Sequence, residues 1–318
     1  MKVDALFMVG KGQTEIRQVE VGAPRSYEVQ IEIKACGVCA WDSYLFKGVS
    51  LTEDYPFRFG HEGVGIVRAI GDQVDSLSVG DTVMVASGGS LMTQLANVPA
   101  GNAVKINTTV TDYTHWIGEP VACVVNSMTN CPIVPGDRVV MVGTGYMGLL
   151  NVQALQVQPY GQLTTFEIRE DRMALAKKYG AAESFLLGTP ESDVRIAQIK
   201  AEGGAEVVME CSGSESGFQF ANELLRNSGV LNLFGWQRGY PQFNGTPWHL
   251  KGIRIFNTAP NINKHFTDVL KPTERLMRRG VFKTADLVTH TRPYQQSQEL
   301  FELALSKEDG YIKGAVMF

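Results

Sequence analysis

The spacing of apolar residues divides the sequence into a strand-rich beginning and a longer remainder in which the pattern alternates. Across residues 29–34, Val and Ile alternate with polar side chains, which is the two-residue period of a half-buried strand. Short β-rich runs follow at 63–67 and 82–85, and Gly-Asp pairs punctuate the region. The pattern therefore predicts a barrel-like or sandwich-like β region over residues 1 to about 118.

Near Glu119 the pattern changes, and short apolar runs begin to alternate with helical stretches. Strands are predicted at 138–142, 163–168, 205–209 and 229–234, with helices over 146–157 and around 173–176. This alternation predicts a parallel sheet with helices on both faces. After about residue 260 the regularity fades, although 301–305 is typical of a helix and 312–318 of a final strand.

Composition and charge narrow the class of protein. The chain has 318 residues, 44% of them hydrophobic and 19% charged, which predicts a globular protein of two domains. A net charge of −4 argues against nucleic-acid binding, and no apolar run approaches the roughly 20 residues of a membrane span. The first residues lack the apolar core of a signal peptide, so we expect a cytoplasmic protein. Its five cysteines favour metal binding or burial over disulfides.

A glycine-rich segment, residues 143–148, follows a predicted strand and opens a predicted helix. Its glycines permit a tight turn, close approach to a pyrophosphate and close helix–strand packing. Glu167 ends the next predicted strand, where a carboxylate can accept hydrogen bonds from both ribose hydroxyls of NAD. Arg169, in contrast, favours NADP, because an arginine can bind the 2′-phosphate of that cofactor. We predict NAD, with NADP less favoured; a flavin site and an ordinary turn are the alternatives. The predicted cofactor-binding residues are Gly143, Gly145, Tyr146, Met147, Gly148, Glu167 and Arg169.

Three separate segments contain residues that could hold a metal ion. They are Cys36-Gly37-Val38-Cys39, Gly60-His61-Glu62 and Glu119-Pro120. One Cys, one His and one Glu can form a zinc site with a fourth position open, as in catalytic zinc centres. The residues alone are only suggestive, because a His beside a Glu is more often an ordinary hydrogen-bonded pair.

Together these segments resemble the motifs of the zinc-dependent medium-chain dehydrogenase/reductase family, in their order and approximate spacing. The motifs are Cys36–Asp42, Gly60–Gly65, Val79–Val83, Glu119–Cys123 and Gly143–Gly148. The resemblance covers nearly the whole chain and implies an α/β fold. A GroES-like β-rich catalytic domain is expected over 1–120 and 262–318. A Rossmann domain with a doubly wound parallel sheet is expected over 121–261. The resemblance also favours a homo-oligomer, either a dimer or a tetramer.

The family resemblance assigns metal roles to individual residues. Cys39, His61 and Glu119 match three zinc ligands, and Glu62 matches a glutamate that ligates zinc directly or lies just behind it. Cys36 matches a position that usually does not bind metal. The stretch Ala86 to Ala96 lacks the cysteines of the structural-zinc lobe found in many relatives, so one zinc per chain is expected.

Two departures from the family pattern concern the proton that alcohol oxidation releases. Trp41 stands where relatives usually have a Ser or Thr that begins a proton relay, and Tyr44 stands where some have a relay His. The indole of Trp41 can donate a hydrogen bond but cannot accept one. We therefore expect a zinc-bound water and Glu62 to carry the proton. Tyr44 would orient the substrate or join this proton path, and Trp41 would form a wall of the pocket.

The resulting expectation is a zinc-dependent oxidoreductase that transfers hydride between a secondary alcohol and NAD. The substrate would be a small molecule, namely a polyol, a sugar or a sugar acid. Two other readings stay open. One is a keto-sugar or aldehyde reductase, or an enzyme in which transient oxidation enables elimination or epimerisation. The other is a non-enzymatic dinucleotide-binding protein. Neither nucleic acid nor membrane is expected as a partner.

Overall fold

The computed structural model describes residues 1–49, 54–87, 89–237, 242–258, 267–308 and 310–318. The chain divides into two compact units, residues 1–122 with 265–318 and residues 123–264. Within the described ranges, none of the helices combines the length and apolarity that crossing a membrane requires.

The elements follow one another in chain order. Residues 1–130 contain β1 (Lys2–Gly10), β2 (Gln13–Glu20), β3 (Glu28–Val38), α1 (Ala40–Lys47), β4 (Phe57–Arg58), β5 (Glu62–Ile70), β6 (Thr82–Ala86), β7 (Leu95–Pro99), β8 (Ala103–Lys105) and α2 (Glu119–Asn130). The second unit continues with β9 (Arg138–Val142), α3 (Tyr146–Leu155), β10 (Gln162–Glu167), α4 (Glu170–Lys178), β11 (Glu183–Leu186), α5 (Pro190–Ala201), β12 (Ala205–Glu210), α6 (Glu215–Leu224), β13 (Leu225–Leu233), α7 (Thr246–Lys251) and β14 (Arg254–Asn257). The chain then returns to the first unit with α8 (Thr267–Arg278), α9 (Thr284–Leu287), β15 (Val288–Pro293), α10 (Ser297–Ser306) and β16 (Lys313–Met317).

Strand register in the first unit brings three distant segments to one edge. Its larger sheet has the order β15-β16-β3-β5-β6-β8, with β7 also paired to β3. β3 runs antiparallel to both neighbours: Cys36 faces Gly63 of β5, and Val38 faces Gly314 of β16. The end of β3 therefore lies beside the beginnings of β5 and β16. Phe46 of α1 stacks on Phe301 of α10, and Phe59 meets the same ring edge to face, with centroids 5.4 and 5.5 Å away; both anchor this edge to the core.

The second unit is a parallel sheet with the order β11-β10-β9-β12-β13-β14. Val142, which ends β9, is level with Phe166 on one side and Glu210 on the other. The carboxyl ends of β9, β10 and β12 therefore meet at one edge of the sheet, where open α/β sheets bind ligands. Phe166 packs on Phe185 and Phe220 beneath this edge.

The predicted α/β fold class is confirmed: a β-rich unit accompanies a unit with a six-stranded parallel sheet of the Rossmann type. The strand predicted at 138–142 has these bounds, and 229–234 falls largely within β13. α1 and α8 are among the helices that the sequence analysis did not name. α1 interrupts the predicted β region, because eight residues are too few to show a helical period. α8 lies where the pattern fades, because its buried face includes the polar Thr273 and Glu274, and Pro272 stands inside it.

Candidate active site

The edge formed by β3 and β5 brings three potential metal ligands together. Cys39 precedes α1, directly after β3, and His61 and Glu62 stand at the beginning of β5. One ligand atom from each of these residues lies within 4.8 Å of the other two. In the described part of the chain, no other such group of three or more was found. Thiolate, imidazole and carboxylate are the ligands zinc uses in proteins, so these residues fit a zinc ion.

Glu119 and Cys36 stand outside this group of three. Glu119 is the first residue of α2 and is partly buried, and its charge contributes to the electrostatic environment of His61. Cys36 is fully buried, and burial raises the pKa of its thiol well above the usual value. Among the described residues, the geometry therefore brings together Cys39, His61 and Glu62, and Glu119 is not part of this group.

The two ligand candidates Cys39 and His61 both hold their protons strongly. Burial raises the pKa of the Cys39 thiol. Burial opposes the charged form of His61, but the carboxylate of Asp42, a hydrogen bond with Cys39 and the carboxylate of Glu119 raise its pKa well above the usual value. Zinc binds thiolate and neutral imidazole, so its binding must release protons from this site.

Asp42 is a site residue that the sequence analysis quoted in a motif but gave no role. It is fully buried in the first turn of α1, where its Oδ2 accepts a hydrogen bond from the Cys39 backbone N–H at 2.9 Å. Its Oδ1 lies 3.9 Å from His61 Nδ1. At 3.9 Å this is an ion-pair contact and not a hydrogen bond, and a carboxylate on this side of the ring leaves the other nitrogen to face a metal. In the sequence, the position of Asp42 three residues after Cys39 was the feature that could have indicated this role.

Glu62 is held by a buried ion pair that sequence reasoning missed. Glu62 Oε2 lies 2.5 Å from Lys313 Nζ, and the two side chains are only 1% and 5% exposed. Gly37 makes room for this arrangement, because a Cβ there would lie 2.0 Å from Glu62 Oε2. Lys313 opens β16, and nothing in its local sequence indicates its partner.

Trp41 and Tyr44 both lie on α1, the helix that Cys39 precedes. Trp41 is 38% exposed and Tyr44 is partly buried. Ser43, the hydroxyl residue between them, is buried and donates to the Cys39 carbonyl at 3.3 Å. The Ser43 hydroxyl is thus engaged with the backbone that presents Cys39.

The glycine-rich segment has the geometry of a phosphate-binding turn. Gly143 has a positive φ of 89°, and a Cβ there would lie 2.9 Å from the Ser212 backbone. Gly145 caps α3, and a Cβ on Gly148 would lie 2.2 Å from the Gly143 carbonyl oxygen. Tyr146 and Met147 form the first turn of α3, whose N–H groups face the turn. The segment fits a dinucleotide pyrophosphate at a helix N-terminus.

Glu167 lies beside this turn but is tightly bound to the protein. Its side chain is buried, and its Oε2 accepts hydrogen bonds from the Thr144 N–H at 2.6 Å and the Thr144 hydroxyl at 3.0 Å. Its Oε1 accepts from the N–H groups of Ile168 at 2.7 Å and Arg169 at 3.1 Å. The carboxylate therefore fastens the glycine-rich segment to the end of β10.

Two arginines follow Glu167. Arg169 donates to both carboxylate oxygens of Asp171 at 3.1 Å, so its charge is shared with a neighbouring acid. Arg172, which the sequence analysis missed, is buried, and a Cβ on Gly145 would lie 3.5 Å from its Nη1. Its guanidinium thus lies beside the turn that would receive phosphates. Burial lowers the pKa of Arg172, although an arginine stays protonated in proteins.

Two family models match the chain, and together they span residues 25–272. The alcohol dehydrogenase GroES-like domain matches residues 25–161, and the zinc-binding dehydrogenase model matches residues 135–272. Among curated proteins, D-arabinitol dehydrogenase 1 of Uromyces fabae is 24% identical over 312 residues, which cover 88% of each chain.

Solved structures share the fold along the whole chain. A short chain alcohol dehydrogenase (rspB) of E. coli CFT073, complexed with NADH, superimposes with a TM-score of 0.87 at 21% identity, covering 100% of this chain and 99% of the other. A structure from Sinorhizobium meliloti 1021, bound to NADP, gives a TM-score of 0.85 at 20% identity and covers 100% of both chains. With both models matched in sequence order, the chain belongs to the zinc-dependent medium-chain dehydrogenase family.

Proposed function

We propose that this protein is a zinc-dependent dehydrogenase that oxidises a secondary alcohol, namely a polyol, a sugar or a sugar acid, with NAD. The observation that carries the proposal is the group formed by Cys39, His61 and Glu62, on a chain that also presents a phosphate-binding turn. The similarity to a D-arabinitol dehydrogenase supports a polyhydroxylated substrate. When bound, zinc supplies a Lewis acid for the substrate oxygen, and the nicotinamide supplies the two-electron chemistry.

The protein's own residues would prepare and support this chemistry. We assign Cys39, His61 and Glu119 as zinc ligands, with Asp42 fixing the His61 ring. Glu62 is the carboxylate of the ligand group, held by its ion pair with Lys313, and we assign it to accept a proton from the substrate hydroxyl. Tyr44 would orient the substrate, and the half-exposed indole of Trp41 would form a wall against an apolar sugar face.

Preference for NAD over NADP is part of the proposal. The buried carboxylate of Glu167 places a negative charge where a 2′-phosphate would approach, and like charges disfavour that cofactor. The ion pair with Asp171 reduces the ability of Arg169 to compensate. Arg172, beside Gly145, would contribute its positive charge to the phosphates common to both cofactors.

A substrate screen tests the function directly. The zinc-loaded protein is incubated with NAD or NADP and a panel of polyols, sugars and sugar acids, and the absorbance of the reduced nicotinamide is followed. We expect turnover of at least one secondary alcohol with NAD. No turnover across the panel, despite dinucleotide binding, would favour the non-enzymatic alternative.

Trp41 keeps one alternative reaction open, because it replaces the hydroxyl that begins the relay in relatives. A reductase, or an enzyme that oxidises its substrate transiently, would use the same cofactor without net formation of ketone. Product analysis by NMR separates these reactions: the proposal requires a ketone formed in equal amount to the reduced cofactor.

A further inference from the structure

The carboxylate of Glu167 has its acceptor positions filled by the protein itself. In the described part of the chain, four donors reach it, two on each oxygen: the N–H and hydroxyl of Thr144 on Oε2, and the N–H groups of Ile168 and Arg169 on Oε1. An ionised carboxylate offers about four lone-pair positions. A ribose hydroxyl can therefore bond to Glu167 only by replacing one of these donors.

The four donors differ in how easily they can be displaced. Three are backbone N–H groups, and the backbone of Thr144 is held between Gly143, at positive φ, and Gly145, the cap of α3. Moving an N–H group requires a change in the backbone. The fourth donor, the Thr144 hydroxyl, turns about a single side-chain bond, and its 3.0 Å hydrogen bond is longer than the 2.6 Å bond of its own N–H to the same oxygen.

We propose that Thr144 is a specificity-determining residue of the cofactor site, because its hydroxyl competes with a hydroxyl of the adenosine ribose for Glu167 Oε2. The inference rests on the proposed function, which assigns a nicotinamide dinucleotide to this turn. It separates two effects of Glu167. The negative charge disfavours a 2′-phosphate whether or not Thr144 donates. The hydrogen bond to a 2′-hydroxyl forms only when the Thr144 hydroxyl turns away.

A direct consequence is weak discrimination between ribose and 2′-deoxyribose in the natural chain. The hydrogen bond gained by the ribose replaces one already made by Thr144, so the exchange is nearly neutral. Thr144→Val keeps the branched shape and the backbone N–H but removes the competing hydroxyl. In that variant, one buried acceptor position of Glu167 has no donor until a ribose hydroxyl binds. Leaving such a position unsatisfied is unfavourable, so the variant should gain more from binding the ribose.

The experiment measures binding of ADP-ribose and 2′-deoxy-ADP-ribose by isothermal titration calorimetry. We expect the natural chain to bind the two within about threefold of each other. Thr144→Val should bind ADP-ribose roughly 2- to 12-fold more tightly, the range of one net hydrogen bond, and should prefer it to the deoxy compound by a similar factor. Thr144→Ser, which keeps the hydroxyl, is the matched control and should behave like the natural chain.

Two results would overturn the inference. One is a Thr144→Val protein whose affinities match those of Thr144→Ser. The other is a natural chain that already binds the deoxy compound more than about tenfold more weakly, a measurement that needs no variant to fold. Absence of any ADP-ribose binding by the natural chain would reject the proposed cofactor as well, whereas binding without an effect of Thr144 rejects this inference alone.

Discussion

The ligand group of the first unit and the glycine-rich turn of the second each contain a buried glutamate, but the two charges are stabilised differently. Glu62 is 1% exposed and is paired with the ammonium group of Lys313. Glu167 is 5% exposed and accepts four hydrogen bonds from nearby residues. Within the described residues, the ion-pair partner of Glu62 is Lys313, with His61 also nearby, whereas the charge of Glu167 is spread over several N–H and O–H dipoles.

The two sites also differ in how the chain assembles them. Glu62 meets Lys313 because β5 and β16 flank β3 in the larger sheet of the first unit. The donors to Glu167 come from the turn after β9 and from the residues that follow Glu167 itself. A long-range contact of this kind offers one partner, so a single substitution can remove it. The arrangement around Glu167 offers several donors and should tolerate the loss of one.

The largest expected effect is loss of the metal. Protein purified without chelator should contain about one zinc per chain, because the described residues form one ligand group. The double substitution Cys39→Ser/His61→Ala should abolish zinc binding and reduce turnover at least about 1,000-fold, since the Lewis acid contributes several kcal/mol. The control Cys131→Ser/His249→Ala changes the same residue types in the second unit and should keep its zinc. Two tightly held zinc ions, or full occupancy in the first variant, would contradict the assignment.

Breaking the Glu62–Lys313 pair tests whether the buried carboxylate of Glu62 depends on Lys313 for its stabilisation. Lys313→Met should lower the free energy of unfolding by about 3–5 kcal/mol, because it leaves a buried carboxylate uncompensated. Adding Glu62→Gln to Lys313→Met should restore much of the lost free energy of unfolding. Lys271→Met, at an exposed position of α8, should change stability by less than about 0.5 kcal/mol. Urea unfolding measures all four proteins, and equal stability of Lys313→Met and Lys271→Met would refute the dependence.

The metal affinity should fall steeply with pH. Because the pKa values of Cys39 and His61 are raised, both groups carry protons in the metal-free protein near neutral pH. Zinc must displace these protons, so each pH unit downward should weaken binding up to about tenfold per proton, or about 100-fold for two. Competition with a chelator at pH 6, 7 and 8, corrected for protonation of the chelator, measures the slope. A flat profile would mean that these residues do not ligate the metal in the expected forms.

Smaller effects on turnover are expected from substituting the residues that we assign to proton transfer, Glu62 and Tyr44. Glu62→Gln should lower kcat at least roughly tenfold while zinc remains bound, because general acid–base help is typically worth about 10²- to 10⁴-fold. Tyr44→Phe should cost less. Steady-state kinetics with parallel metal analysis distinguishes loss of the proton acceptor from loss of zinc. Near-normal turnover of zinc-loaded Glu62→Gln across pH 6 to 9 would leave Glu62 with a structural role only.

The smallest effect concerns the choice of cofactor. We expect kcat/KM for NAD to exceed that for NADP by at least about tenfold, since juxtaposed like charges are unfavourable. Glu167→Ala should narrow this gap, whereas Glu170→Ala, which removes an exposed carboxylate nearby, should leave it unchanged. The measurement is kcat/KM for both cofactors in all three proteins. An equal or higher value for NADP in the natural chain would reject the NAD preference.

Local sequence was sufficient for the glycine-rich turn and for the strands that flank it. The glycines of Gly143–Gly148 stand directly between a strand and a helix, so the pattern of this segment is visible in the sequence. The alternation of apolar runs similarly predicts the parallel sheet, because each buried strand must be apolar on both faces. The site roles assigned to Cys39, His61 and Glu119 depended on the family resemblance as well as on residue type, and they remain predictions.

The sequence by itself thus determined the fold class, the glycine-rich turn and the residue types that could bind a metal. Only the tertiary structure decided that Lys313 is the partner of Glu62 and that Asp42 lies beside His61. It also decided that the Thr144 hydroxyl donates a hydrogen bond to Glu167. The physical reason is that periodicity records which faces of an element are buried, whereas a polar partner is chosen by strand register and by the direction of individual side chains. A buried charge must be compensated, but the sequence does not show which of many lysines or N–H groups will lie within reach.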